Sequence, residues 1–270
     1  MPAEIAHIAD SPHDGMGRDV GPPSARISSK GALILESQTV FRALASGLGV
    51  AEVRERCLSG SLLRKSARFT RMRVWDAINW RFFSWCPAGW IIADLQRAAM
   101  ESSRPSPTFV GLAYIHYARR DRLTFDFVTQ HLFDSWAAGG ERVRPEEVLR
   151  FAAKRYGPDA LGRFRESTRK KIAGNVLSAL RDFGTLRGTA RKTVAQPSLT
   201  SAAALHLCRL LNEEGLRGRH LMEASDWRLF LLQPNDVTRT LAELATAGAI
   251  RFEQAGRTVI LELPRDGAMQ

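Results

Sequence analysis

The chain has 270 residues, 39 of them lysine or arginine against 28 acidic ones, for a formal net charge of +11. Its longest apolar stretch, "GWIIADL" from Gly89, is broken by Asp94 and falls far short of the ~18 apolar residues of a bilayer-spanning helix, so no such helix is expected and the protein should be soluble. A hydrophobic content of 44% suits two or three small packed domains, and the cation excess points to an anionic partner: nucleic acid, an acidic membrane surface or an acidic protein.

The first 28 residues lack the cationic and apolar regions of a signal peptide and are rich in Gly, Pro and Asp, so residues 1–28 read as a disordered tail. Cys57, Cys86 and Cys208 are isolated, without CxxC or neighbouring His spacing, which fits a reducing cytosol and no zinc site. Residues 29–140 read as an all-helical domain with stops at Gly47, Gly49, Gly60 and Pro87. Within it, residues 54–73 carry seven cations and one acid. Ser66 is placed to cap the following helix; Arg64, Arg68 and Arg71, with Lys65, form a cationic face, and Phe69, Met72, Trp75 and Ile78 an apolar one. Ser106 and Pro107 begin a further helix, and "TFDFVTQHLFDSWAAGG" another from Thr124; Val110, Ala113, Tyr114 and Tyr117, then Phe127, Val128, His131, Leu132 and Phe133, read as core.

Residues 141–197 change character. Helices are expected from Pro145 to Gly157, over the short stretch Pro158–Ser167, and over "STRKKIAGNVLSALRDFG", which stops at Gly184 before two strands around Gly188. "LSALRDFGTLR" from Leu177 then matches "LAELATAGAIR" from Leu241. The second copy has its own helices, one capped by Ser198 or Thr200 and one by Ser225, and a hairpin turning at Ala255 and Gly256. The fold class is therefore mainly α: a helical N-terminal domain followed by two tandem winged-helix-like modules with short β-hairpin wings, at 141–197 and 198–264, and a tail at 265–270.

On a helical wheel, Ile172, Val176, Leu180 and Phe183 form the apolar face of the helix before Gly184, with Ala173 and Leu177 beside them. The opposite face offers Thr168, Arg169, Lys170, Lys171, Asn175, Ser178 and Arg181 as donors to phosphate and base edges, with Gly174 permitting close approach. Cations at a helix start are mildly unfavourable there unless an anion meets them. Arg187, Arg191 and Lys192 extend the set onto the wing. Residues 142–192 hold fourteen cations and five acids, net +9, whereas residues 198–270 hold eight and nine, net −1, so the first module is the DNA-contacting one and the second faces protein. No catalytic or cofactor signature stands out: Ser167–Lys170 matches S-x-x-K without companion motifs, "GLG" at Gly47 lacks the rest of a dinucleotide fingerprint, and the histidines lack metal-ligand spacing. A non-enzymatic protein without cofactor or metal is expected.

The stretches "ISSKGALILESQTVFRALASG", "STRKKIAGNVLSALRDFGTLRG", "DWRLFLL" and "LAELATAGAIRFEQAGRTVILELP", in this order from Ile27 to Pro264, resemble the BrxA family, small accessory proteins of bacterial BREX phage-defence systems. That resemblance implies a non-enzymatic, mostly helical cytosolic protein that binds double-stranded DNA and works beside a methyltransferase and ATPases encoded with it. The family has also been likened to NusB, an RNA-binding antitermination factor, which leaves RNA binding as an alternative; a protein scaffold is a third reading. A monomer is expected, and the resemblance assigns no individual DNA contacts.

Overall fold

The computed structural model describes residues 13–14, 16–24, 30–256 and 258–263. The chain is mainly helical, with a few short strands. Its first half contains α1 (Ile34–Ala45), α2 (Val50–Ser59), α3 (Arg68–Phe82), α4 (Gly89–Met100), α5 (Pro107–Arg119) and α6 (Arg122–Asp126). The last continues through a π-helical turn, Phe127–Leu132, into α7 (Phe133–Ala137). Ser106 caps α5 by accepting from the Phe109 N–H at 3.1 Å, with Pro107 in the first turn. From Gly111 to Arg119 every residue of α5 is buried, as expected of a helix without a polar stripe. It packs against α1, α3 and α4 and against α10 (Ser201–Glu213).

Two local expectations fail here. The helix expected from Thr124 starts at Arg122, because the Thr124 hydroxyl donates to the Asp121 carboxylate at 2.6 Å rather than capping a new helix. Ser66 does not cap α3, whose extended flanking residue is Ala67. The Ser66 carbonyl instead accepts from Arg71 at 2.8 Å.

In the middle segment, β3 (Arg142–Val143), α8 (Pro145–Tyr156), α9 (Glu166–Asp182), β4 (Leu186–Arg187) and β5 (Lys192–Val194) follow in order. The strands form an antiparallel sheet in the order β3-β5-β4, with Arg142 opposite Thr193 and Arg187 opposite the same Thr193. The short helix expected over Pro158–Ser167 is absent. There the bonds Ala160 N–H to Gly157, Gly162 N–H to Asp159 and Phe164 N–H to Leu161 all span three residues, so the chain makes successive turns without a helical ladder. At Gly184 φ is +87°, which ends α9 where the sequence placed its stop.

The last segment holds α10, α11 (Gly218–Met222), a 3₁₀ turn (Ser225–Phe230), α12 (Pro234–Thr246) and the hairpin β6 (Arg251–Ala255) with β7 (Thr258–Glu262). Thr200 caps α10 through the Ala203 N–H at 3.3 Å. Ser225 does not cap a helix: the segment is 3₁₀ and the residue ahead of it is Ala224. The hairpin pairs Arg251 with Glu262 through to Ala255 with Thr258, as its alternation predicts. Trp227 is buried and its indole N–H donates to the Leu221 carbonyl at 2.9 Å.

These groups share one hydrophobic core. Tyr114 of α5 stacks on Phe183 at the end of α9 (5.0 Å between centroids, 26° between planes) and meets Phe230 edge-on at 5.6 Å. Each such aromatic pair contributes about 0.5–1.5 kcal/mol beyond area burial. Three arginines belong to this interior as well. Arg81 donates to the carbonyls of Gly31 and Ala32, and Arg120 to that of Trp80. Arg119 binds Asp226 at 2.5 Å and also Glu214.

The tail expected over residues 1–28 is in part built into the fold. Residues 1–12, 15 and 25–29, and the C-terminal tail, lie outside the described residues. β1 (His13–Asp14) and β2 (Arg18–Asp19) pair antiparallel, and Arg18 bonds Asp226 at 2.8 Å and Glu214 at 3.4 Å. Arg122 and Arg163 donate to the carbonyls of Val20 and Pro23, both at 2.7 Å, so charged side chains far along the chain hold a segment with little apolar content.

A polar relay also crosses the core. His206 Nδ1 lies 2.8 Å from Asp94 Oδ2, and His206 Nε2 lies 2.9 Å from His116 Nε2. A carboxylate only accepts, so His206 carries its proton on Nδ1 and accepts on Nε2 from the His116 Nε2–H. Burial lowers the pKa of both histidines, although Asp94 opposes this at His206, so the fold favours the neutral form of each.

Candidate nucleic-acid interface

α9 buries Ile172, Ala173, Val176, Leu177, Ala179 and Leu180, with Phe183 behind them, as its periodicity predicts. Its other face is at the surface, but its members differ. Lys171 is exposed without an acidic partner among the described residues. Lys170, equally exposed, reaches back to Glu166 at 2.8 Å; the helix begins at Glu166, so one acid does occupy its first turn. Glu166 is drawn below the ordinary carboxylate range by that hydrogen bond and Lys170 is raised by it. Thr168 and Arg169 are half-buried, and Arg169 faces a cleft of about 280 Å³ between α8 and α9 that Lys170 and Glu166 also line. Ser178 is half-buried, and Arg181 pairs with Asp182 at 2.7 Å. Asn175 keeps its Nδ2 buried without a hydrogen-bond partner. A Cβ on Gly174 would meet nothing within 4 Å, so nothing inside the fold requires glycine there.

The sheet continues this surface. Arg142 and Arg187 share a register row through Thr193, and both are exposed. Arg191 is exposed in the turn, and Lys192 donates to the Thr189 carbonyl at 2.9 Å. Arg142, Arg144, Arg150, Lys154 and Arg165 were missed by the helical wheel, because they sit on β3, α8 and ahead of α9. All five are exposed and none has an acidic partner among the described residues.

The basic run 54–73 behaves otherwise. It lies on α2, α3 and their connection, packed against α1 and α5, not on the α8–α9 unit. Arg71 turns inward and donates to the carbonyls of Leu58, Lys65 and Ser66. Lys65 pairs with Glu36 at 2.8 Å, leaving Arg64 and Arg68 exposed. Phe69 and Met72, expected on the apolar inner face, are 62% and 41% exposed, whereas Trp75 and Ile78 are buried. α3 thus turns Phe69 outward beside Arg73, whose guanidinium lies 5.5 Å from the ring centroid.

Four cations of the last segment are compensated by acids, while the exposed Arg217 donates to the carbonyls of Asn212 and Leu216. Arg239 pairs with Asp236, Arg251 with Glu253 and Glu262, Arg219 with Glu223, and Arg209 with Asp94. The imbalance in formal charge between the two C-terminal segments is therefore also an imbalance in pairing.

No described helix is long and apolar enough to cross a membrane. The chain is similar in fold to the crystal structure of an uncharacterized protein from Magnetospirillum magneticum: TM-score 0.57, 14% identity, 78% of this chain and 100% of that one covered. No curated protein matches it. A model of the BrxA family matches residues 23–210, from the N-terminal segment through α9 and the sheet to the last turn of α10, and the chain belongs to the BrxA family.

Proposed function

We propose that this BREX-associated protein is a non-enzymatic accessory factor that binds double-stranded DNA through α9 and the β3-β5-β4 sheet, as a cytoplasmic monomer. The observation that carries the reading is the group of exposed cations without acidic partners among the described residues, Lys171, Arg142, Arg144, Arg187 and Arg191, in a segment of net charge +9. Such charge is what phosphate neutralisation and counterion release require.

The order strand, helix, turns, helix and two-stranded wing supports a winged-helix-like module in which α9 lies along the major groove. It departs from the usual pattern where turns replace the second helix. α10, α11, α12 and the β6–β7 hairpin support a second such module, whose compensated arginines suit a protein partner of the same defence system. RNA binding is the alternative favoured by one observation, the exposed Phe69 beside Arg73, since unpaired bases stack on such rings. A competition gel with matched duplex DNA and RNA decides: preferential displacement by RNA would replace the DNA reading.

A further inference from the structure

The turn between β4 and β5 is tight. At Gly188 φ is +85°, and a Cβ there would stand 2.1 Å from the Arg191 carbonyl oxygen, so only glycine allows the chain to close in this way. The closure brings Arg191 and Lys192 beside Arg142 and Arg144, with Lys192 opposite Val143 in the sheet register. Between them lies a cleft of about 270 Å³ lined by these four cations and by Val143, Pro145 and Ala190, with no acid in its wall among the described residues.

The acids nearby are engaged elsewhere or stand outside the lining. Glu147 accepts the Arg144 N–H at 3.0 Å and lies 3.5 Å from His131. Glu146 acts on Lys170, and Glu141 is exposed. Like charges gathered around one space repel each other, and a bound anion reverses the sign of that interaction; of the four, Lys192 is already held by a carbonyl, that of Thr189.

We propose that this cleft binds a phosphate monoester, the terminal phosphate of a DNA end or of a free nucleotide. An internal phosphodiester brings one negative charge and two free oxygens. A terminal phosphate brings roughly −1.5 to −2 and three acceptor oxygens, closer to what four cations can satisfy, and the forked donors of three arginines match it. The DNA-end form rests on the nucleic-acid reading above, but the site itself is measurable without duplex DNA.

The test is calorimetric titration of the full chain with dAMP, inorganic phosphate and deoxyadenosine, alongside binding of one duplex with 5′-phosphate or 5′-hydroxyl ends. We expect dAMP and phosphate to bind and deoxyadenosine not to. Arg142→Ala with Arg144→Ala should weaken dAMP by roughly tenfold or more, the scale of lost charge-assisted bonds, with unchanged melting. If that pair of changes alters melting, Arg191→Ala, in the exposed turn, carries the same expectation. A preference for the 5′-phosphorylated duplex that disappears in the variant assigns the ligand to a DNA end; equal duplex affinities with intact dAMP binding assign it to a free nucleotide. Absence of dAMP and phosphate binding, or binding unaltered by the substitutions, overturns the proposal. The 5′-hydroxyl duplex reports separately on the DNA reading: if it binds while dAMP does not, only the cleft assignment falls.

Discussion

Lys170 reaches back one turn of α9 to Glu166, 2.8 Å away, while Lys171, the next residue, has no acidic partner among the described residues. On a surface helix such an i,i+4 pair contributes little to stability, so its main effect is to share the Lys170 charge. Lys171→Ala should therefore weaken duplex binding more than Lys170→Ala, and Glu166→Gln should strengthen it a few-fold. Fluorescence anisotropy with one labelled duplex measures all three. Unchanged affinity in all three variants would show that DNA does not approach this turn, and equal losses at the two lysines with no gain at Glu166 would show that the ion pair does not govern what Lys170 offers to DNA.

Gly174 separates two quantities that usually move together. A Cβ there would meet open space, and alanine is favoured over glycine inside a helix by about 1 kcal/mol. Gly174→Ala should raise the melting temperature and lower DNA affinity if a phosphate backbone passes close to α9. A stabilised variant with unaltered affinity would place the DNA away from this point.

His116 and His206 make stability depend on pH. Their pKa values in the fold lie below the ordinary 6.5, mainly through burial, so the unfolded chain takes up protons first. Their contribution is complete above about pH 6.5 and is lost as pH falls, by up to ~1.4 kcal/mol per pH unit for each proton. Asp121 acts in the opposite sense: burial raises it to about 6, so its stabilising effect is present below its ordinary range and is lost as pH rises through 6. Chemical denaturation from pH 7.5 to 5 should show stability falling more steeply in wild type than in His116→Phe, and Asp121→Asn should gain most at neutral pH. Parallel curves for wild type and His116→Phe would mean that the relay does not titrate with unfolding.

Arg18 joins the N-terminal segment to the far end of the chain through Asp226, which is buried and also held by Arg119. Arg18→Met keeps an aliphatic stem over Phe125 but leaves two acids sharing one arginine. The expected loss is about 1–3 kcal/mol in urea denaturation, less than the ~3–5 for a buried charge left wholly unpaired. An unchanged midpoint would mean that this segment is not docked in solution.

The parts of this architecture that were legible in the sequence rest on local chemistry. Ser106, Thr200 and Gly184 act within three or four residues, and each is where its pattern placed it; the hairpin also forms, but Ala255, expected in its turn, still pairs with Thr258, so the turn starts at Gly256. Buried and exposed positions of α9 follow from periodicity alone. What stayed hidden depends on distant partners. A periodic helix shows that it has two faces but not how far a neighbour covers them, so Phe69 and Met72 were placed inside. Arg18 and Asp226 are 208 positions apart, and nothing near Arg18 marks it as part of an ion-pair cluster. Counting charges also treats Arg81, Arg119 and Arg120 as surface cations although all three are buried, while Arg142 and Arg144 join the basic surface through a two-residue strand too short to leave a pattern.

On the proposed reading the cations of residues 141–197, and not those of the last segment, contact duplex DNA. Its most direct measurement is duplex affinity against salt concentration for wild type, for Arg142→Glu with Lys171→Glu, and for Arg239→Glu with Arg251→Glu. With about five phosphate contacts the wild-type log–log slope should be about −4 to −5. Reversal at Arg142 and Lys171 should abolish measurable binding, and reversal at Arg239 and Arg251, already paired with Asp236, Glu253 and Glu262, should leave affinity within a few-fold. A flat salt response, or equal losses from the two pairs of substitutions, would contradict the account.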